Sequence, residues 1–170
     1  MCMKNKIKFP STTIKSKNKI ILFIIFLLLF LVLTYLLWLF LRPVKIVTVH
    51  KDSDISHILL KNPPLTDKGK INWWLENEKT IRIHYNIPQS ESHKSFTIIF
   101  WDFGNGYKEK GDESKDDRFC FSDLLPPKNC IDKSKLFYIS SGKDTGISFV
   151  TDHAIYRIKK DGELIKMASN

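Results

Sequence analysis

The chain has 170 residues, with 27 Lys and Arg against 18 Asp and Glu and a formal charge of +9. That length allows one modest globular domain. The charge is uneven: residues 1–19 carry six lysines and no acid, whereas residues 42–170 carry 21 Lys and Arg against 18 Asp and Glu. The basic excess is therefore a topology signal, and it argues against nucleic acid as a partner of the nearly balanced remainder.

Lys4, Lys6, Lys8, Lys15, Lys17 and Lys19 make residues 1–19 a basic tail. Residues 20–41, IILFIIFLLLFLVLTYLLWLFL, follow without a charge. A hydrocarbon core about 30 Å thick takes roughly 20 apolar residues. This run is apolar on every face, unlike a core helix with its solvent side, and it predicts a transmembrane helix whose partner is the lipid bilayer. Cations near a span stay on the cytoplasmic side. The tail lysines outnumber Arg42, Lys45, Lys51 and Lys61 beyond it, so the N-terminus is expected in the cytoplasm. Trp38 suits the outer headgroup layer, and Pro43 blocks helix continuation. The run exceeds the roughly 7–15 residues of a cleaved signal and ends without a small-x-small site. It reads as an uncleaved signal anchor.

Residues 42–170 then form the expected extracytoplasmic domain. VKIVTVH (44–50) alternates and is β-branched, ISHILL (55–60) reads as a second short strand, and Lys61 to Pro64 is a break. Thr66 can cap a helix and Asp67 suits its first turn. A helix is expected over 67–80, with Ile71, Trp74 and Leu75 on one face. Gly69 weakens its first turn by roughly 1 kcal/mol, and Pro88 closes the segment. SFTIIFW (95–101) is a strong strand, and Asn105-Gly106 signals a type I′ hairpin after it. KEKGDESKDDR (108–118) is too charged for a core and reads as a solvated loop. LFYIS (136–140), ISFVT (147–151), AIYRIKK (154–160) and ELIKM (163–167) are strands. Ser140-Ser141-Gly142 reads as a turn and Lys160-Asp161-Gly162 as a hairpin. The class is α+β: one N-terminal transmembrane helix and a small antiparallel-sheet domain with one main helix.

Cys120 and Cys130 lie ten residues apart on the exported side, while Cys2 lies in the tail. In an oxidising compartment such a pair usually bridges, adding roughly 2–3 kcal/mol by loop closure. A redox pair wants Cys-x-x-Cys spacing. A metal wants two more ligands, and the intervening stretch has no His.

Catalytic patterns are missing. His50, His57, His84, His93 and His153 show no His-x-x-x-His spacing. Asp102-Phe103-Gly104 stands without the other kinase elements. The acidic positions 112, 113, 116 and 117 do not fill a calcium loop. No Gly-x-Ser-x-Gly and no phosphate loop is present. No cofactor, metal or catalytic residue is expected. The aromatic wealth is more suggestive. Trp73 and Trp74 cannot point the same way on one helix, so one should enter the core and the other lie near the surface. Trp73 or Trp74, Tyr107 and the 108–118 loop are the expected partner contacts.

RPVKIVTVH (42–50), PLTDKGKINWWLENE (64–78), YNIP (85–88), FTIIFWDFGNGYKE (96–109), DRFCF with PPKNCIDK (within 117–133) and DHAIYRIKKDGE (152–163) closely resemble the enterobacterial membrane proteins of domain-of-unknown-function family nine hundred and forty-three. The resemblance implies a bacterial inner-membrane location, one N-terminal membrane helix and a Cys pair matching Cys120 and Cys130, and it brings no catalytic residues. The expected function is a membrane-anchored, non-catalytic binding domain with an envelope protein partner. Its alternatives are an immunity protein against a toxin from neighbouring cells and an accessory subunit of an envelope complex.

Overall fold

The computed structural model describes residues 13–87, 95–111, 117–142, 146–159 and 162–167. Most of the basic tail, Pro88, His93, positions 112–116 of the charged loop and Lys160-Asp161 lie outside them. The chain divides into two units at Arg42 and Pro43.

The first unit is helix α1, Thr13–Leu41. Within it Asn18–Leu41 is long and apolar enough to cross a membrane.

The second unit runs in the order β1 (Lys45–Asp52), β2 (Ile55–Lys61), α2 (Asp67–Tyr85), β3 (Phe96–Asp102), β4 (Arg118–Cys120), β5 (Cys130–Asp132), β6 (Lys135–Gly142), β7 (Gly146–Val150), β8 (Ile155–Ile158) and β9 (Leu164–Met167). Seven strands form one sheet in the order β1-β2-β3-β6-β7-β8-β9, and β4 with β5 forms a separate two-stranded piece. The α+β class holds, and the sheet is antiparallel except at one place. β2 and β3 pair in parallel, because the chain returns through α2 instead of a hairpin, as parallel neighbours require.

Helix α2 begins where Thr66 stays extended and its Oγ1 accepts from the Gly69 amide at 3.1 Å. Glycine is needed at that amide: a Cβ there would stand 2.9 Å from Thr66 Oγ1 and 3.2 Å from Pro64 Cβ. The helix runs five residues beyond the expected end at 80. An ion pair from Glu78 to Arg82 at 2.8 Å and the buried Ile81 support the extra turn, and Asn86 ends it in the left-handed conformation. Leu75 is 41% exposed rather than core, because the stripe against the sheet runs through Ile71, Trp74 and Ile81 and leaves Leu75 at its margin.

Two cores flank the sheet. Ile58, Leu60, Ile98, Phe100, Phe137, Ile139 and Phe149 pack with Ile71 and Trp74 on the helix side. Phe100 and Phe137 are register partners whose rings stack at 4.2 Å. Leu59 and Trp101 face the other way and meet Phe121 and Ile131. The run from Ser56 to Leu60 is therefore buried on both faces.

Two sequence expectations about turns fail. Asn105-Gly106 makes no hairpin: the turn closes from Phe103 to Gly106 with Gly104 at φ +47°, and β3 is already flanked by β2 and β6. Ser140-Ser141-Gly142 is strand rather than turn, since β6 pairs with β7 as far as Gly142 and Gly146. The expected final hairpin joins β8 and β9, which pair antiparallel.

Candidate functional site

The β1–β2 hairpin places His50 directly opposite His57. Register partners on antiparallel strands project to the same face, here the face away from α2. There the β4–β5 piece lies over the sheet as a clasp. Cys120 and Cys130 are register partners in it and form a disulfide, with their Cα atoms 3.9 Å apart. Lys108 ties the outer side of the clasp, exchanging backbone hydrogen bonds with Cys130 at 2.7 and 3.1 Å and pairing its ammonium with Asp132 at 2.6 Å. Arg118 donates to the Glu109 carbonyl.

Both histidines are buried beneath the clasp aromatics. The His50 ring stacks on Phe121 at 3.9 Å, and the His57 ring lies 4.9 Å from Phe119. Asp123 Oδ2 is 2.7 Å from His50 Nδ1 and Tyr107 Oη is 2.7 Å from His50 Nε2. A carboxylate only accepts, so Nδ1 donates to Asp123, and in the neutral imidazole Nε2 is left to accept the Tyr107 proton. Tyr107 keeps that proton because burial, and then the Asp123 charge, push its pKa up from 10.0. Trp101 Nε1 donates to His57 Nδ1 at 3.1 Å. Burial holds the His57 pKa below 6.5, with His50 acting in the same direction and Asp52 and Asp123 opposing.

An Asp–His–Tyr chain has the connectivity of a proton relay, but the space around it is about 30 Å³. Small-molecule sites run to about 300–1,000 Å³. The histidines, aromatics and disulfide together hold a loop. That loop, 121–129, leaves the clasp between the two cysteines. Phe121 and Asn129 close its base, with the Phe121 amide on the Asn129 carbonyl at 2.9 Å and Asn129 Nδ2 on the Phe121 carbonyl at 3.2 Å. Leu124 packs inward against the second core, whereas Leu125 is 90% exposed.

The expected contacts are dispersed. Trp74 is core. Trp73 is half-buried, edge-on to Phe100 at 6.3 Å, and lines a groove of about 510 Å³ between β1 and α2. Tyr107 is spent on His50. Sequence reading missed His50, His57, Asp123 and Leu125. The pairing of the histidines has a signal, since both stand equally far from the Ser53-Asp54 turn. Asp123, which lies 73 residues from His50, has none. Among the described residues no group of three or more His, Cys, Asp and Glu side chains is placed to hold a metal.

An apolar helix long enough to cross a bilayer, joined to an α+β domain with a disulfide-closed clasp, defines a class of small membrane proteins. The chain belongs to the family described as enterobacterial putative membrane protein (DUF943), whose model matches residues 15–168. No curated protein and no solved structure matches the chain.

Proposed function

We propose that the chain is a single-pass protein of the bacterial inner membrane, N-terminus in the cytoplasm, whose periplasmic domain binds another envelope protein without catalysing a reaction. The observation that carries the binding reading is Leu125, 90% exposed on a loop closed by a disulfide. Burying one leucine against a partner yields about 1.5–3 kcal/mol. A loop already held in place loses little conformational freedom when it docks. The disulfide fits the oxidising side of the membrane, and the lysine bias supports the orientation.

A photo-crosslinking residue at position 125 tests this in living cells, with position 152 on an exposed bend as the control. A discrete adduct at 125 alone is expected. Equal labelling at both positions removes the loop as the binding element. The adduct also sorts the alternatives: a toxin delivered by neighbouring cells favours immunity, and an integral-membrane enzyme or transport component favours an accessory subunit. Protease added to spheroplasts checks the orientation, digesting residues 42–170 if they face outward and sparing them if they do not.

A further inference from the structure

His50 and His57 face one another under the clasp, yet they hold a second proton differently. His50 lies between Asp123 and Tyr107. When its Nε2 gains a proton, the Tyr107 hydroxyl oxygen accepts where it had donated, and both partners are kept. His57 has no such freedom. Its Nδ1 accepts from Trp101 Nε1 at 3.1 Å, and an indole nitrogen only donates. A proton on Nδ1 sets two donors against each other and breaks the bond.

The break falls where the clasp meets the sheet. Trp101 is buried, and its ring stacks on Phe119 at 5.0 Å. Phe119 also lies against the His57 ring and meets Phe121 edge-on at 5.2 Å. Phe121 in turn closes the base of the 121–129 loop. The disulfide only joins β4 to β5. Attachment of the clasp to the sheet is left to these rings, to Leu59 and Ile131, and to the Asp123–His50 pair.

Around His57 the charged and titratable groups are His50, Lys51 and Asp52 on β1 and Asp123 on the loop, with Tyr107 one hydrogen bond further, on His50. Asp52 and Asp123 draw a proton in, but burial outweighs them and His50 adds to its effect. The closed clasp therefore keeps His57 neutral, and water reaches it when the clasp lifts.

We propose that the clasp is an acid-sensitive latch on the Leu125 loop: at neutral pH the Trp101–His57 hydrogen bond keeps it shut, and in acid a proton on His57 opens it, so that the loop loses its fixed shape. The inference rests on the binding reading above, because it assigns regulation to that same loop. Linkage through one group favours the open form by up to about tenfold per pH unit below 6.5, hence up to about thirtyfold between pH 7.5 and pH 5.

The test follows solvent exchange of the indole Nε1 protons by nuclear magnetic resonance, on the full chain in neutral detergent with isotope-labelled tryptophan. Trp38→Phe, Trp73→Phe and Trp101→Phe assign the signals of the four tryptophans. Protection of Trp101, relative to free tryptophan at the same pH, is expected to fall by up to about thirtyfold from pH 7.5 to pH 5, while Trp74, buried under α2, keeps its protection. His57→Gln, which keeps an acceptor and does not titrate, removes the pH dependence. Unchanged protection of Trp101 overturns the proposal. Loss at Trp74 in step overturns it too, since the domain then unfolds as a whole, and so does an acid response that survives His57→Gln. The photo-crosslink at position 125, repeated in cells suspended at pH 7.5 and pH 5, reads the consequence: capture drops in acid in the parent and holds in His57→Gln. Capture that ignores pH while Trp101 opens overturns the control of the loop. No adduct at either pH defeats the binding reading, and the indole exchange still decides the latch.

Discussion

Asp123 and His50 meet at 2.7 Å across 73 residues of sequence, and they join the exposed loop to the first strand of the sheet. The His50 side chain is 6% exposed and that of Asp123 48%. Solvent screening on the acid side limits the pair to roughly 1 kcal/mol. Asp123→Ala should lower the stability of the full chain by about that amount, and Asp123→Asn, which keeps an oxygen acceptor, by less. Thermal melting followed by near-ultraviolet circular dichroism measures both. Equal melting temperatures for the parent and the alanine variant would remove the pin.

The disulfide is the larger constraint. Cys120 and Cys130 close a short loop, and the chain-entropy relation assigns such a closure about 2–3 kcal/mol. Replacing both with serine should cost that much, and reduction of the parent with dithiothreitol should produce the same shift. The photo-crosslink at position 125 should weaken in parallel, because the loop loses its base. Undiminished crosslinking after reduction would show that the disulfide does not set the shape of the loop.

His57 should make stability fall in acid. Its pKa is held below 6.5 in the folded protein, first by burial. Well above pH 6.5 both folded and unfolded chains carry it neutral, so it contributes no pH dependence there. As pH drops through 6.5 the unfolded chain takes up a proton that the folded chain resists, and stability is lost at up to about 1.4 kcal/mol per pH unit. The loss stops once pH falls below the folded pKa. His57→Gln keeps an acceptor for Trp101 Nε1 and does not titrate. Its melting temperature should therefore fall less than the parent's between about pH 7.5 and pH 5. Parallel curves would show that His57 is protonated as easily in the fold as outside it.

The elements that local chemistry controls were legible in the sequence, and those set by distant contacts were not. The α1 run declares itself by length and absence of charge. The β1 and β2 strands announce themselves by β-branched residues, and α2 by the Thr66 cap. The end of α2 was not legible, because the Glu78–Arg82 pair and the burial of Ile81 that carry the helix past residue 80 depend on the folded helix and sheet, and an Asn86 in the left-handed conformation leaves little trace. The parallel pairing of β2 and β3 depends on where α2 lays the chain down, which no single segment encodes. The site was least visible. His50 and Asp123 look ordinary in their own segments, and Tyr107, expected as a partner contact, turns inward to His50; the three gain their meaning only when separate stretches converge.

Trp73 and Trp74 offer a sharper test of the helix face. Trp74 is 1% exposed and meets the Phe100 ring edge-on at 5.4 Å. Trp74→Ala should cost about 3–5 kcal/mol, the usual range for removing a large core aromatic. Leu75→Ala, one position further on and at the margin of the stripe, should cost under about 1 kcal/mol. Trp73→Ala should fall between them. If Leu75→Ala proves as damaging as Trp74→Ala, the helix is rotated relative to the stripe of Ile71, Trp74 and Ile81.

Leu124 and Leu125 separate folding from binding within one loop. Leu124 packs against the cluster of Leu59, Trp101, Phe121 and Ile131, so Leu124→Ala removes buried methyl groups and should destabilise by about 1–3 kcal/mol, below the range for a fully buried leucine. Leu125 touches solvent over nearly its whole surface, so Leu125→Ala should stay within about 0.5 kcal/mol of the parent. Binding should show the reverse order. A crosslinker moved to position 122, also on the exposed part of the loop, should capture partner in the Leu124→Ala background wherever the domain remains folded. It should capture markedly less in the Leu125→Ala background, since truncating an apolar anchor commonly costs 1–2 kcal/mol or more, about five- to thirtyfold in affinity. Undiminished capture by Leu125→Ala would mean that the loop touches a partner without Leu125 contributing to the attachment, and the anchor would have to be sought on another surface.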